Sequence, residues 1–320
     1  MPDRPLVLVT ETLDRRCADW LAERCEIAWV RFDDPSFNGR LHQADALVVR
    51  TYTQVNQALL DQAPQLKVVG RAGVGLDNFD LPACQARGVQ VVYTPDANTQ
   101  AVVEYVMGLT LDHFRPRAVL PPGAPADVFH EMRKTEVGRQ LSDMTLGIVG
   151  MGRIGTRLAV VAHKLGVNVH ATDILPEPQI RKRCEGIPFE FLPHAELYAG
   201  SDIVTLHADG RPDNRGMIDA DAFAAMRPHA LFINAARGML VDETAVHAWL
   251  SANPQAHATL DVHDPEPPAP DSPLHDLPNC TLLPHLASRT DTALLNMSWV
   301  VRDVAAVLEN LPPRFPAPND

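Results

Sequence analysis

The sequence predicts an α/β protein of two doubly wound lobes, on three observations. Short β-branched runs alternate with helix-like stretches in two separate series along the chain. The runs are continuously apolar, as in parallel strands covered on both faces, and a proline-rich stretch separates the two series. A chain of 320 residues is also long enough for two domains at roughly 150 residues each.

In the first series the apolar runs fall at 6–9, 27–30, 46–49, 66–69 and 89–93, with helix-like stretches at 13–24, 55–62 and 80–87 between them. The second series has runs at 145–149, 167–170, 203–207, 231–234, 258–260 and 281–283, and no sequence repeat links it to the first. Proline, at 28 residues, is nearly twice as frequent as usual and marks the seams. Pro116, Pro121, Pro122 and Pro125 define a loop-like stretch after the first series, and none follows until Pro176. A second cluster, from Pro265 to Pro284, breaks regular structure between Asp264 and His285. Helix resumes at about Asp291 and ends before Pro312, leaving residues 311–320 as an expected mobile tail.

The formal net charge is −12, on a chain that is 46% hydrophobic and 21% charged. That composition is globular, and its field repels phosphodiesters and anionic lipid, so neither a nucleic acid nor a membrane is expected as a partner. No apolar stretch reaches the roughly 20 residues of a spanning helix. The amino terminus passes from charged residues straight into a strand-like run, so no export signal is expected. Five scattered cysteines without a C-x-x-C pair suit free thiols in a reducing cytoplasm.

The strongest local signal is Gly150, Gly152 and Gly155, a G-x-G-x-x-G directly after an apolar strand and opening a helix. The first glycine suits a tight turn, the second lets backbone approach a pyrophosphate, and the third allows close helix–strand packing. Asp173 follows Gly155 at the end of the next strand, where a carboxylate accepts from a ribose diol and repels a 2′-phosphate. The expected cofactor is therefore NAD.

Three later strands each end in a polar group: Arg237 in NAARGMLVDE, Asp261 and Glu266 in LDVHDPEPP, and His285 in LLPHLASRT. Ligands of open α/β sheets bind at the carboxyl ends of strands. Singly, each residue has an ordinary alternative: a surface ion pair for Arg237, a solvated loop acid for Glu266, a capping or core histidine for His285. His263, Asp264 and Glu266 bring a metal-dependent hydrolase to mind, but the run is filled with proline and lacks a second histidine at helical spacing, so no metal is expected.

Seven segments in order, GRAGVGLDN (70–78), ANTQAVVE (97–104), GMGRIG (150–155), SDIVTLH (201–207), NAARGMLVDE (234–243), LDVHDPEPP (260–268) and PHLASRT (284–290), resemble the D-isomer-specific 2-hydroxyacid dehydrogenases. The pattern is most similar to short phosphoglycerate dehydrogenase-like members. The resemblance implies a flavodoxin-like substrate (lid) domain from residues 1–112 plus 291–320, a Rossmann NAD-binding domain from 113–290, and a homodimer.

Carried over by position, the resemblance makes His285 the acid/base, Glu266 its orienting partner, and Arg237 the group that binds the carboxylate of a small 2-hydroxy or 2-keto acid. Asp261 would contact the nicotinamide carboxamide and His207 would lie along the adenosine. Arg153, Ile154 and Ala235 would complete the cofactor contacts. Backbone around Val74 and Gly75, with Asn98, would hold substrate. Arg50 and Arg71 resemble residues that meet a substrate phosphate in phosphoglycerate dehydrogenases, an anion suited to arginine. Glyoxylate and hydroxypyruvate reductases often lack them.

Several departures matter. Formate dehydrogenases of similar pattern carry Gln where Glu266 stands, so formate oxidation is disfavoured. Ala287 and Arg289 replace a usual glycine and serine, and Arg289 facing inward would add a positive charge for a more acidic substrate. The stretch 116–136 lacks the usual tryptophan segment. The chain shows no appended regulatory domain, so feedback through one is not expected. A corepressor-like NAD-sensing protein is the non-enzymatic alternative.

Overall fold

The computed structural model describes residues 4–184 and 186–318. They divide into two units, one made of residues up to 98 with those from 288 onward, the other of residues 99–287.

The first unit holds five strands, β1 (Leu6–Val9), β2 (Glu26–Trp29), β3 (Ala46–Val49), β4 (Val68–Arg71) and β5 (Gln90–Tyr93). All pair in parallel in the order β2-β1-β3-β4-β5, which is the flavodoxin-like order. Because successive side chains point to opposite faces, β1 sends Val7 and Val9 into one core and Leu8 into the other. The carboxy-terminal segment forms two helices, Asp291–Ser298 and Val301–Leu308. Val300 and Val304 share the core of Val7 and Val9. Gly70 makes room for this layer: a Cβ there would lie 2.5 Å from Val304 Cγ2.

The tail departs from expectation as far as residue 318, residues 319 and 320 lying outside those described. Tyr93 N donates to Phe315 O (3.1 Å) and Ala317 N donates to Val91 O (2.8 Å), so residues 315–317 are pinned along the edge of β5. An exposed edge offers unpaired donors and acceptors, and this short pairing covers it.

The second unit holds seven parallel strands, β6 (Thr145–Val149), β7 (Asn168–Thr172), β8 (Glu190–Phe191), β9 (Ile203–Leu206), β10 (Leu231–Asn234), β11 (His257–Leu260) and β12 (Cys280–Leu282). Their order, β12-β11-β10-β9-β6-β7-β8, reverses between β6 and β9 as in a dinucleotide-binding sheet. The two-residue β8 was not expected, being too short to leave an apolar run.

The helix Thr99–Phe114 belongs to this unit: Val102, Val103, Val106 and Met107 share a core with Leu158, Ala159 and Ala162 of the helix Arg153–Lys164. The seam therefore falls at 98/99 rather than the expected 112/113. Within the expected loop, the proline-free run after Pro125 forms the helix Ala126–Thr135, which has no buried residue. Among the described residues no helix is long and apolar enough to cross a membrane.

Candidate active site

The glycine turn after β6 is built by exclusion. Gly150 adopts φ 97°, its N–H donates to Thr172 O (2.9 Å), and a Cβ there would press the His207–Ala208 backbone at 2.8–2.9 Å. A Cβ on Gly155 would collide with the Gly150 carbonyl oxygen. Gly152 differs, because its Cβ would meet nothing within 4 Å. It caps the helix that Arg153 and Ile154 open, without any side-chain cap hydrogen bond. The first-turn amides of a helix have no acceptor within it, and here they stand beside open space, the arrangement that accepts a pyrophosphate.

At the end of β7, Asp173 Oδ2 accepts from Met151 N (2.6 Å) and Oδ1 from Leu175 N (2.8 Å). Two backbone donors fix the carboxylate, and each oxygen keeps a lone pair for a ribose hydroxyl. His207 Nε2 lies 3.2 Å from Thr205 Oγ1, while its buried Nδ1 has no partner among the described residues. Burial holds the His207 pKa down to about 3, so the ring is neutral. Ala235 is buried beyond β10. These features fit a dinucleotide.

On the same sheet, His285 Nδ1 stands 3.1 and 3.0 Å from the two oxygens of Glu266. An ionised Glu266 makes Nδ1–H the donor and leaves Nε2 for exchange with another group. Burial pushes the Glu266 carboxyl up, but the hydrogen bond and charge of His285 outweigh it and hold the pKa below the usual carboxylate value. Arg237 follows β10, its Nη1 donating to Ala236 O (2.6 Å). The next residue, Gly238, leaves no room for a Cβ against the His263 backbone, so the Arg237 loop abuts the loop that carries Glu266.

Asp261, expected at the nicotinamide, is held by its own chain. It is fully buried, and its Oδ1 and Oδ2 accept from Leu286 N and Ala287 N, both at 2.8 Å. Tyr105 donates to Oδ1 as well (3.0 Å). His285 N donates to the Asp261 carbonyl (2.8 Å), and His285 takes the left-handed φ of 55°. Such a conformation persists only where surroundings impose it, and Asp261 supplies that constraint. Tyr105 was missed in the sequence, since nothing near it in the chain marks a partner 156 residues away. Burial first, then the Asp261 charge, pushes its phenol pKa up and keeps it a donor.

In the first unit, Arg71 lies against its own loop. Its Nε donates to Gly75 O (2.9 Å) and its Nη1 to Ala72 O (3.3 Å), and the side chain is buried over its own loop. Gly73 permits this: a Cβ there would lie 2.5 Å from Arg71 Nη1. Arg71 thereby shapes the turn bearing Val74 and Gly75. Among the described residues the Arg50 guanidinium makes long contacts, 3.5 Å to Thr12 O and 3.8 Å to the Met297 sulfur. Burial and the nearby Arg289 charge push its pKa down, opposed by Glu11. Arg289 is exposed. Asn98 Oδ1 is buried without a partner among the described residues.

The doubly wound sheet, the uncapped glycine turn and the acid ending β7 define a dinucleotide-binding α/β protein. The chain belongs to the D-isomer specific 2-hydroxyacid dehydrogenases, residues 124–287 matching that family's NAD binding domain, and NAD is its cofactor. It is 36% identical over 274 residues to a D-3-phosphoglycerate dehydrogenase of Archaeoglobus fulgidus, covering 84% of this chain and 50% of that protein. The chain spans about half the length of the curated relatives it matches. Among solved structures, the TT0316 protein of Thermus thermophilus is 31% identical with a TM-score of 0.84, covering 98% of this chain and 100% of that one. An NADPH-dependent glyoxylate/hydroxypyruvate reductase of Sinorhizobium meliloti, solved with NADP and malonate, is 27% identical with a TM-score of 0.80, covering 99% and 98%.

Proposed function

We propose that this protein interconverts a small D-2-hydroxy acid and its 2-keto acid, with NAD as hydride carrier and His285 as acid/base. The observation that carries the reading is the His285–Glu266 pair, held at the strand ends of the same sheet as the glycine turn. When bound, NAD supplies the hydride acceptor or, reduced, the donor. In oxidation His285 Nε2 takes the hydroxyl proton as hydride leaves C2; in reduction the protonated ring returns it to the ketone oxygen. The Glu266 carboxylate stabilises the imidazolium between these states. Arg237 binds the substrate carboxylate and polarises the reacting C–O bond.

Asp173 favours NAD over NADP by repelling a 2′-phosphate. The substrate reading is an acid with a second anionic group, 3-phosphoglycerate-like. Its support is Arg50 and Arg289, two like charges for which no ion pair is seen among the described residues; such charges gain most from a shared multi-oxygen anion. The test follows NADH absorbance across paired D-2-hydroxy acids and 2-keto acids. Turnover with a member carrying a second anionic group is the expected result, and no turnover with any pair rejects the activity.

A cytoplasmic homodimer completes the reading. The ten-residue helix Ala126–Thr135 buries nothing, and an isolated helix of that length is marginal in water. Phe129 on it and Val137 just after it are exposed apolar residues. A second copy covering this helix accounts for them, and Phe129→Asp is expected to shift sedimentation towards the monomer.

A further inference from the structure

The loop that follows β3, Arg50 to Thr53, turns four consecutive backbone N–H groups towards one side chain. Glu11 Oε1 accepts from Arg50 N (3.0 Å), Tyr52 N (3.2 Å), Thr53 N (3.2 Å) and Thr53 Oγ1 (3.1 Å), while Oε2 accepts from Thr51 N (3.0 Å). Successive amides turned to one side form a concave nest for an anion, and here the chain fills the nest itself.

The carbonyls of the same loop are held from the other side. Asn78 Nδ2 donates to Arg50 O (3.1 Å) and Thr53 O (2.6 Å), and Asn78 is buried. Thr10 Oγ1 and Thr53 Oγ1 share a buried hydrogen bond of 2.7 Å. A segment outside any regular element thus has its polar backbone satisfied, at the cost of five acceptor bonds from a single carboxylate. Those bonds hold the Glu11 carboxylate to the loop backbone, and no Glu11–Arg50 ion pair is seen among the described residues. Among the described residues, the hydrogen bonds of the Arg50 guanidinium beyond this platform are a 3.5 Å contact to a carbonyl and a 3.8 Å contact to a thioether.

We infer that Glu11 is a positioning residue: with Asn78 it locks the 50–53 loop so that the Arg50 guanidinium stays unpaired and pre-oriented for a second anionic group of the substrate. This rests on the substrate reading above. Pre-organisation spares the ordering cost that a mobile arginine incurs on binding.

The test compares Glu11→Gln, Arg50→Ala and the double variant on two probes, 3-phosphoglycerate and D-glycerate, which lacks the phosphate. Glu11→Gln keeps the size but loses the charge and one strong acceptor. It is expected to raise KM for 3-phosphoglycerate about tenfold, with kcat within about twofold and little change for D-glycerate. Amides of residues 51–53 are expected to exchange with solvent faster, and the double variant to be no worse than Arg50→Ala alone. Equal losses on both probes, or additive effects in the double variant, would overturn the inference by showing a general structural role. Unchanged amide exchange with unchanged KM would overturn it as well. If exchange accelerates but Arg50→Ala treats both probes alike, the substrate reading of Arg50 fails and the presentation role of Glu11 falls with it, while the lock on the loop stands.

Discussion

Two glycine-rich turns follow parallel strands in this chain, GRAGVG after β4 and GMGRIG after β6, and they end in opposite states. In the first, the space above Gly73 is filled by the guanidinium of Arg71, which spends its donors on the loop's own carbonyls. In the second, the space above Gly152 is empty and the helix behind it is uncapped. A glycine therefore serves either to admit the chain's own side chain or to admit an outside anion, and the neighbouring donors tell which. Where donors point back at carbonyls the turn is complete; where a helix opens without a side-chain cap, as after Gly152, its first amides are left for the anion proposed to bind there.

Substitutions separate the two kinds of turn. Gly155→Ala drives a methyl into the Gly150 carbonyl, with no flexible side chain to yield. It is expected to cost about 3 kcal/mol in urea unfolding, typical of severe overpacking. Gly152→Ala meets open space in the free protein and should leave the unfolding midpoint unchanged. It should weaken NADH about tenfold in a fluorescence titration, equal to about 1.4 kcal/mol, because the methyl occupies the path of the pyrophosphate. Gly73→Ala should show the reverse, about 1 kcal/mol of lost stability through displaced Arg71 hydrogen bonds and unchanged NADH affinity.

The smallest effect separates the two units by pH. In the second, burial, then the charges of His257 and Arg139, hold the His113 pKa down to about 4. His113 is neutral when folded and protonates more readily when unfolded, from its ordinary value of 6.5. Its contribution is fully present above that value and is lost as pH falls towards about 4. Hydrogen exchange should then show the second unit weakening before the first, and His113→Gln should reduce that difference in part, the neutral His207 of the same unit still contributing.

Much of this was legible in the sequence because the signals are local. Continuous apolar runs gave both parallel sheets, and G-x-G-x-x-G with an acid at the end of the next strand gave the cofactor turn. His285 and Glu266, 19 residues apart, meet as their strand-end positions implied. What escaped depends on partners distant in the chain or on which way a side chain turns. Arg71 reads as a charge available to substrate, and its hydrogen bonds to its own loop over Gly73 are not visible in the sequence. Asp261 reads as a cofactor contact, and its tie to the backbone of residues 286–287 is not visible in the sequence. Glu11 is an unremarkable acid after a strand, its partners lying about 40 residues on. Prolines 116–125 mask the helix that follows them, and the tail at 315–317 is ordered by pairing with β5 and by burying Ala317.

The most direct test of the central claim is single-turnover hydride transfer by His285→Ala beside its NADH affinity. General acid–base catalysis contributes roughly 10²–10⁴-fold, so a rate about 10³-fold lower is expected, with NADH binding within about twofold. A variant that transfers hydride at the parent rate would contradict the assignment of His285 and the reaction built upon it.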